Sequence, residues 1–198
     1  MNNGDVSQGR RRFLIGATSV VGGVGVVGAA VPFVASWNPS AKAEAAGAPV
    51  TVNVSKLEPG QQMTVEWRGK PVWVIRRTEE MNENILKLND LVKDPLSKEA
   101  DQPAYIEGEL RAIKDDYAVV VGICTHLGCS PQFRPEVAPA DLGEDWLGGF
   151  YCACHGSKYD LAGRVYPNQP APQNLQVPPY RYDDEFTITV GLDPEGAA

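Results

Sequence analysis

The chain has 198 residues, 43% of them hydrophobic, and a formal net charge of -7. The apolar share excludes a disordered polymer, and the acidic balance excludes a nucleic-acid binder, which needs a basic face to displace counterions from phosphates. The length provides one domain of ordinary size plus appendages, and 16 prolines with 20 glycines predict many turns and short strands.

Residues 1–12 are polar and end in Arg10-Arg11-Arg12. The following run, 13–37, holds 25 residues without one charged side chain. At ~1.5 Å rise per residue it is long enough to cross a hydrocarbon layer of ~30 Å. The apolar region of a cleaved signal is only ~7–15 residues, so 13–37 is expected to form a transmembrane anchor. The arginines precede it and only Lys42 follows closely. The positive-inside rule therefore keeps the N-terminus in the cytoplasm and exports the rest, which for a bacterial cell is the periplasmic side of the inner membrane. The arginine run followed by Phe13-Leu14 resembles the twin-arginine export signal, an address read by a receptor. That resemblance implies export of a domain already folded. Ala41-Lys42-Ala43 has the form of a cleavage site, which leaves removal of the anchor open. Gly16, Gly22, Gly23, Gly25 and Gly28 would let another helix approach closely, and Pro32 is a candidate kink.

Residues 38–49 contain no large apolar side chain. They are expected to form a flexible hinge linker, reaching ~40 Å if extended. A globular domain, 50–198, follows. Val50 to Val54 alternates as a strand does. Residues 62–67 and 70–75 read as a hairpin turning at Arg68-Gly69. Thr78, Glu79 and Glu80 open a helix that runs to about Leu88, with acids in its first turn, and about 91–102 reads as loop. Residues 117–124 and 149–151 are strands, each feeding a motif described below, and 181–190 closes the chain as a hairpin. Residues 130–147, with Glu136, Asp141, Glu144 and Asp145, read as a solvated insertion, a partner-docking loop being the other reading. The sum is an all-β chain: an antiparallel β-sandwich with one short helix.

All four cysteines and both histidines fall in two boxes, Cys124-Thr125-His126-Leu127-Gly128-Cys129 and Cys152-Ala153-Cys154-His155-Gly156-Ser157. Two disulfides would suit an exported domain but would leave both histidines idle. A structural zinc site usually spaces its first cysteines as Cys-x₂₋₄-Cys, and six soft donors are too many for one tetrahedral ion. They are enough for a four-ligand site plus one disulfide.

The boxes resemble those of the Rieske iron–sulfur proteins. Trp67-Arg68-Gly69-Lys70-Pro71-Val72, Arg76-Arg77-Thr78, Gly163-Arg164 and Pro170-Ala171-Pro172 are similar to the Rieske subunits of respiratory quinol–cytochrome c reductases in particular. The resemblance implies one [2Fe-2S] cluster per chain, in a small cluster-binding subdomain at about 117–175. Cys124 and Cys152 would hold one iron and His126 and His155 the other, with Cys129 and Cys154 joined as a disulfide. It implies His155, with His126, as the catalytic residues that meet quinol, and Leu127 in the quinol-site interface. Ser157 and Tyr159 would donate hydrogen bonds to cluster sulfurs, Tyr159 to that of Cys124. The implied partners are a b-type cytochrome subunit, a membrane-bound c-type cytochrome, ubiquinol and the membrane, in a dimeric complex that translocates protons. A Rieske subunit of another exported oxidoreductase, such as arsenite oxidase, is the alternative, and a zinc-stabilised interaction domain is a reading from another class. The sequence departs from the family at Ala153, where proline is usual, and at Gln169, where glycine is usual. A looser second box and a different backbone at the proline loop are expected there.

Overall fold

A computed structural model of the chain describes residues 7–196. Residues 1–6, the start of the twin-arginine segment, lie outside the described residues. The chain divides into two units, Met1–Ala45 and Ala46–Ala198.

In the first unit, helix α1 (Gln8–Ala35) runs for 28 residues. The side chain of Ser7 caps it by accepting from the Arg10 amide. Arg10, Arg11 and Arg12 lie inside the helix rather than in a coil ahead of it, because arginine is a good helix former. None of its residues is buried, and its most apolar 18-residue window has a mean hydropathy of 2.0. Thr18 turns its hydroxyl back onto the Leu14 carbonyl, so this polar side chain is satisfied within the helix, as hydrocarbon surroundings require. A second helix, α2 (Ala41–Gly47), occupies most of the stretch expected to be an extended linker. Alanine has the best intrinsic helix propensity, and the Ser40 hydroxyl accepts from the Ala43 amide at 3.2 Å. The linker reach inferred for a fully extended chain is shortened accordingly.

Among the described residues, the second unit carries nine strands and helix α3 (Glu79–Lys87). Strands β1 (Val50–Asn53), β9 (Thr187–Val190) and β8 (Tyr180–Tyr182) form one antiparallel sheet, in that order. Strands β2 (Gln62–Trp67), β3 (Lys70–Arg76) and β4 (Tyr117–Val121) form a second. The β2–β3 hairpin closes on the pair Trp67 and Lys70. Its turn residues Arg68 and Gly69 both have positive φ, 53° and 70°, the backbone of a two-residue turn that matches strand twist. All five residues of β4 are buried, as an apolar run between two layers should be. Val52, Val72, Val74, Val119, Tyr180 and Ile188 from these two sheets share one core. Helix α3 begins as expected, with Thr78 accepting from the Met81 amide at 3.2 Å.

A third sheet contains β5 (Gln132–Arg134), β6 (Gly149–Cys152) and β7 (Ser157–Asp160), with β6 and β7 flanking the second box. Strands β5 and β7 lie where the sequence suggested no strand. The reading of 130–147 as a solvated insertion is corrected here: it contributes β5, and it buries Leu142 and Trp146 against Leu88, Val92 and Tyr166. Removing an indole and a leucine from water stabilises this packing, and the indole N–H is satisfied by the Arg134 carbonyl at 3.1 Å. The insertion's acids are partly neutralised within it, since Arg134 pairs with Glu136 and Asp141.

Strands β6 and β7 approach closely at Gly149. A Cβ there would lie 1.9 Å from the Tyr159 carbonyl oxygen. Gly149→Ala is therefore expected to destabilise the unit by about 1–3 kcal/mol or more through overpacking, read as a lower thermal midpoint. An unchanged midpoint would show that the strands can separate at no cost.

Candidate metal centre

Both boxes fold into loops closed in the same way. In the first, the Gly128 amide donates to the Cys124 carbonyl at 3.1 Å. In the second, the Gly156 amide donates to the Cys152 carbonyl at 2.9 Å. Each glycine has positive φ, 83° and 80°, where a side chain would be strained. The first loop is further pinned by the Cys124 amide on the Cys129 carbonyl at 2.7 Å. The second keeps its closing bond with Ala153 in place of proline, so ring stiffness is not needed to form the turn.

Cys129 and Cys154 form a disulfide, and Cys124 and Cys152 remain free and buried. The sulfurs of Cys129, Cys152 and Cys154 all lie within 4.8 Å of one another. Two of those three are spent in the disulfide, so only Cys152 of that group keeps a thiolate to offer. The other donors come from the histidines, whose rings meet edge to face with centroids 4.7 Å apart. The Nδ1 of His126 is buried and has no hydrogen-bond partner. An unpaired buried acceptor is costly, and a metal ion on that nitrogen removes the cost. Two free buried thiols, two adjacent imidazoles and an orphaned ring nitrogen thus fit a histidine- and thiolate-bound iron–sulfur group. Burial pushes the Cys152 thiol up, with a hydrogen bond from Cys124 adding to the shift. A metal ion reverses that preference by holding the thiolate, so its binding releases protons.

The surroundings are built from β7. Tyr159 is fully buried and its hydroxyl lies 3.2 Å from Cys124 Sγ. The same oxygen receives the Thr125 amide at 3.1 Å and lies 3.1 Å from Thr125 Oγ1. The Thr125 hydroxyl proton is already committed to the Gln173 carbonyl at 2.7 Å. The phenolic proton is therefore free to face the sulfur, an orientation that a thiolate strengthens by charge. Burial, then the Cys124 contact, pushes the phenol well above its ordinary range, which keeps it a donor at any physiological pH. Ser157 is also fully buried, and its Oγ accepts from the Ala171 amide at 3.1 Å. With that lone pair taken, its own proton has no acceptor among the described hydrogen bonds and is available to a bound group.

The outer rim is different. Leu127 is 72% exposed, so it does not pack as a buried loop leucine. His155 and Ala153 are also exposed, while His126 is half-buried. Two contributors were not anticipated from the sequence. Thr125 links Tyr159 to the proline loop. Asp160, next to Tyr159, forms a fully buried ion pair with Arg164 at 2.7 Å and accepts from the Ala162 and Arg164 amides. The four-residue spacing of Asp160 and Arg164 was the only hint of this.

Opening the disulfide should loosen the two loops without removing a ligand candidate. The chain-entropy cost of closing a loop across its 25-residue separation is about 3.5 kcal/mol. Cys154→Ser is expected to lower stability by about 2–4 kcal/mol and to shorten the lifetime of the iron centre. Unfolding and iron retention on dilution would show it, and wild-type values for both would deny the clasp any role.

The chain matches the family profile described as "Rieske [2Fe-2S] domain" over residues 48–180 and that described as "Ubiquitinol-cytochrome C reductase Fe-S subunit TAT signal" over residues 1–40. It is 55% identical over 188 residues to the ubiquinol-cytochrome c reductase iron-sulfur subunit of Allochromatium vinosum, covering 95% of this chain and 91% of that one. The subunit of Blastochloris viridis is 40% identical, covering 96% and 98%. Among solved structures, a chain of a hyperthermophilic respiratory Complex III is similar at a TM-score of 0.48 and 28% identity, covering 89% of this chain and 98% of that chain.

Proposed function

The chain belongs to the Rieske [2Fe-2S] family as an iron–sulfur subunit of ubiquinol–cytochrome c reductase, and from that premise we propose how its residues perform electron transfer. The family membership makes it an electron-transfer subunit of a cytochrome bc complex with a [2Fe-2S] group, and does not favour the arsenite oxidase alternative. The ligands would be Cys124 and Cys152 through sulfur and His126 and His155 through a ring nitrogen. The observation that carries this assignment is the meeting of two free buried thiols and two adjacent imidazoles at loops tied by one disulfide.

When bound, the group supplies one-electron chemistry at a potential that neutral imidazoles raise to roughly -150 to +300 mV. The chain's residues do the rest. The Tyr159 and Ser157 hydroxyls offer protons to the centre's sulfurs, which favours the state carrying more negative charge. His155, exposed at the rim, keeps one ring nitrogen for the proton of ubiquinol. Leu127, next to His126 in the chain and exposed, would offer an apolar surface to the quinol ring.

The expected location is the periplasmic face of the inner membrane, anchored by α1 with the N-terminus inside. The three arginines before the apolar run 13–37, the twin-arginine segment and the disulfide all favour it. The partners would be a b-type cytochrome at the quinol site and a membrane-bound c-type cytochrome that receives the electron, in a dimeric complex. The stretch 38–49 would let the domain travel between them. Isolation of the tagged full chain from its own membranes tests this: b- and c-type haem should accompany it, together with ubiquinol–cytochrome c reductase activity. Recovery without haem would refute the assembly.

A further inference from the structure

Strand β7 is an edge strand, paired with β6 on one side only. Its other side is covered by the returning chain. The Asp160 amide donates to the Arg164 carbonyl at 2.9 Å, and the Tyr166 amide to the Lys158 carbonyl at 3.1 Å. The next donor along this edge is the Lys158 amide, and no backbone carbonyl meets it among the described residues. It is met instead by a side chain, with Gln169 Oε1 accepting it at 3.2 Å. Asn168, in the left-handed region at φ 56°, turns the chain at this point. Gln169 Nε2 donates to the Pro167 carbonyl at 3.3 Å, which fixes the amide so that its oxygen faces Lys158.

We infer that Gln169 is a positioning residue for the iron centre: its side-chain oxygen acts as the missing rung on β7 and holds the proline loop in place. Two residues further on, the Ala171 amide occupies Ser157 Oγ. Four residues on, the Gln173 carbonyl takes the Thr125 hydroxyl proton. These bonds leave the Ser157 and Tyr159 protons for the centre. The loop thus touches both boxes, and Gln169 is its outer fastening. A glycine at this position, the usual residue in the family, offers no such acceptor. The link to the centre rests on the proposed ligand set, whereas the fastening itself does not.

The test uses the full chain in its complex, with Gln169→Ala and Gln169→Gly beside Gln169→Glu. Two quantities are read: residue-resolved amide hydrogen exchange and the midpoint potential of the iron centre. In the Ala and Gly variants, exchange at Lys158 and Ala171 should rise about two- to tenfold, the factor for one lost hydrogen bond. Their redox equilibrium should shift at least threefold against reduction. That is about 28 mV downward at 59 mV per tenfold for one electron. Gln169→Glu keeps an acceptor oxygen and should retain protection at both amides. Wild-type protection in Gln169→Ala overturns the inference, and so does an unchanged potential alongside lost protection. A wild-type chain without a histidine-ligated signal would instead overturn the ligand set, and the exchange measurement would still decide whether Gln169 fastens the loop.

Discussion

Cys152→Ala and Cys124→Ala are each expected to lower ubiquinol–cytochrome c reductase turnover by more than about a hundredfold, beyond what loss of a mere supporting residue costs a metal site. The reason is the division of labour among the four cysteines. Only Cys124 and Cys152 are free, both are buried, and each sits at the start of a loop whose carbonyl is tied back by a glycine amide. No other thiol can replace either one while Cys129 and Cys154 remain joined. Without one sulfur the remaining donors cannot hold two irons, and iron and labile sulfide per chain should fall together with turnover. Cys154→Ser leaves all four proposed ligands present, so it should retain part of the centre. If Cys152→Ala kept its iron and Cys154→Ser lost it, the assignment of ligands and clasp would have to be exchanged.

Arg164→Met should lower the stability of the full chain by about 3–5 kcal/mol, the usual cost of stranding one member of a buried ion pair. For a domain of this size that is a fall of roughly 6–20 °C in midpoint. Arg164 and Asp160 are completely shielded from water. The guanidinium also donates to the Asn89 side chain at 2.6 Å and to the Ile85 carbonyl at 2.5 Å. It therefore joins α3 and the segment after it to β7, whose Tyr159 adjoins Asp160. Arg164→Lys keeps the charge but not the planar fork of donors, and should recover only part of the loss. Thermal unfolding in detergent decides the matter, since a fall below 1 kcal/mol in Arg164→Met would mean that the pair is replaceable by apolar packing.

Where local chemistry alone specifies structure, the sequence was a sufficient guide. Arg68-Gly69 makes a two-residue turn, Thr78 with two following acids starts a helix, and the boxes hold every soft donor. It failed where the stabilising partner lies elsewhere in the chain. Strand β7 reads Ser-Lys-Tyr-Asp, which looks like a polar loop until Arg164 neutralises Asp160 and the fold buries Tyr159. Trp146 and Leu142 have no periodic pattern, and the acids around them suggested solvent. Their burial depends on Leu88, Val92 and Tyr166, brought together only by the tertiary fold. In 38–49 the lack of large apolar residues suggested an extended linker, but alanine content and the Ser40 cap favour a turn of helix. At the site, the residue types of the proposed ligands and the Ser157 and Tyr159 hydroxyls beside them were legible, and the contacts that hold those hydroxyls in place were not. Thr125 and the Gln169 contact depend on where the proline loop returns.

The chain holds only two histidines, His126 and His155, so labelling histidine with nitrogen-15 labels those two rings and nothing else. Electron–nuclear double resonance of the reduced, labelled protein is the most direct measurement of the central assignment. Two strongly coupled nitrogen-15 nuclei are expected on a [2Fe-2S] signal, with two irons per chain. A signal without nitrogen-15 coupling, or zinc in place of iron, would contradict the account.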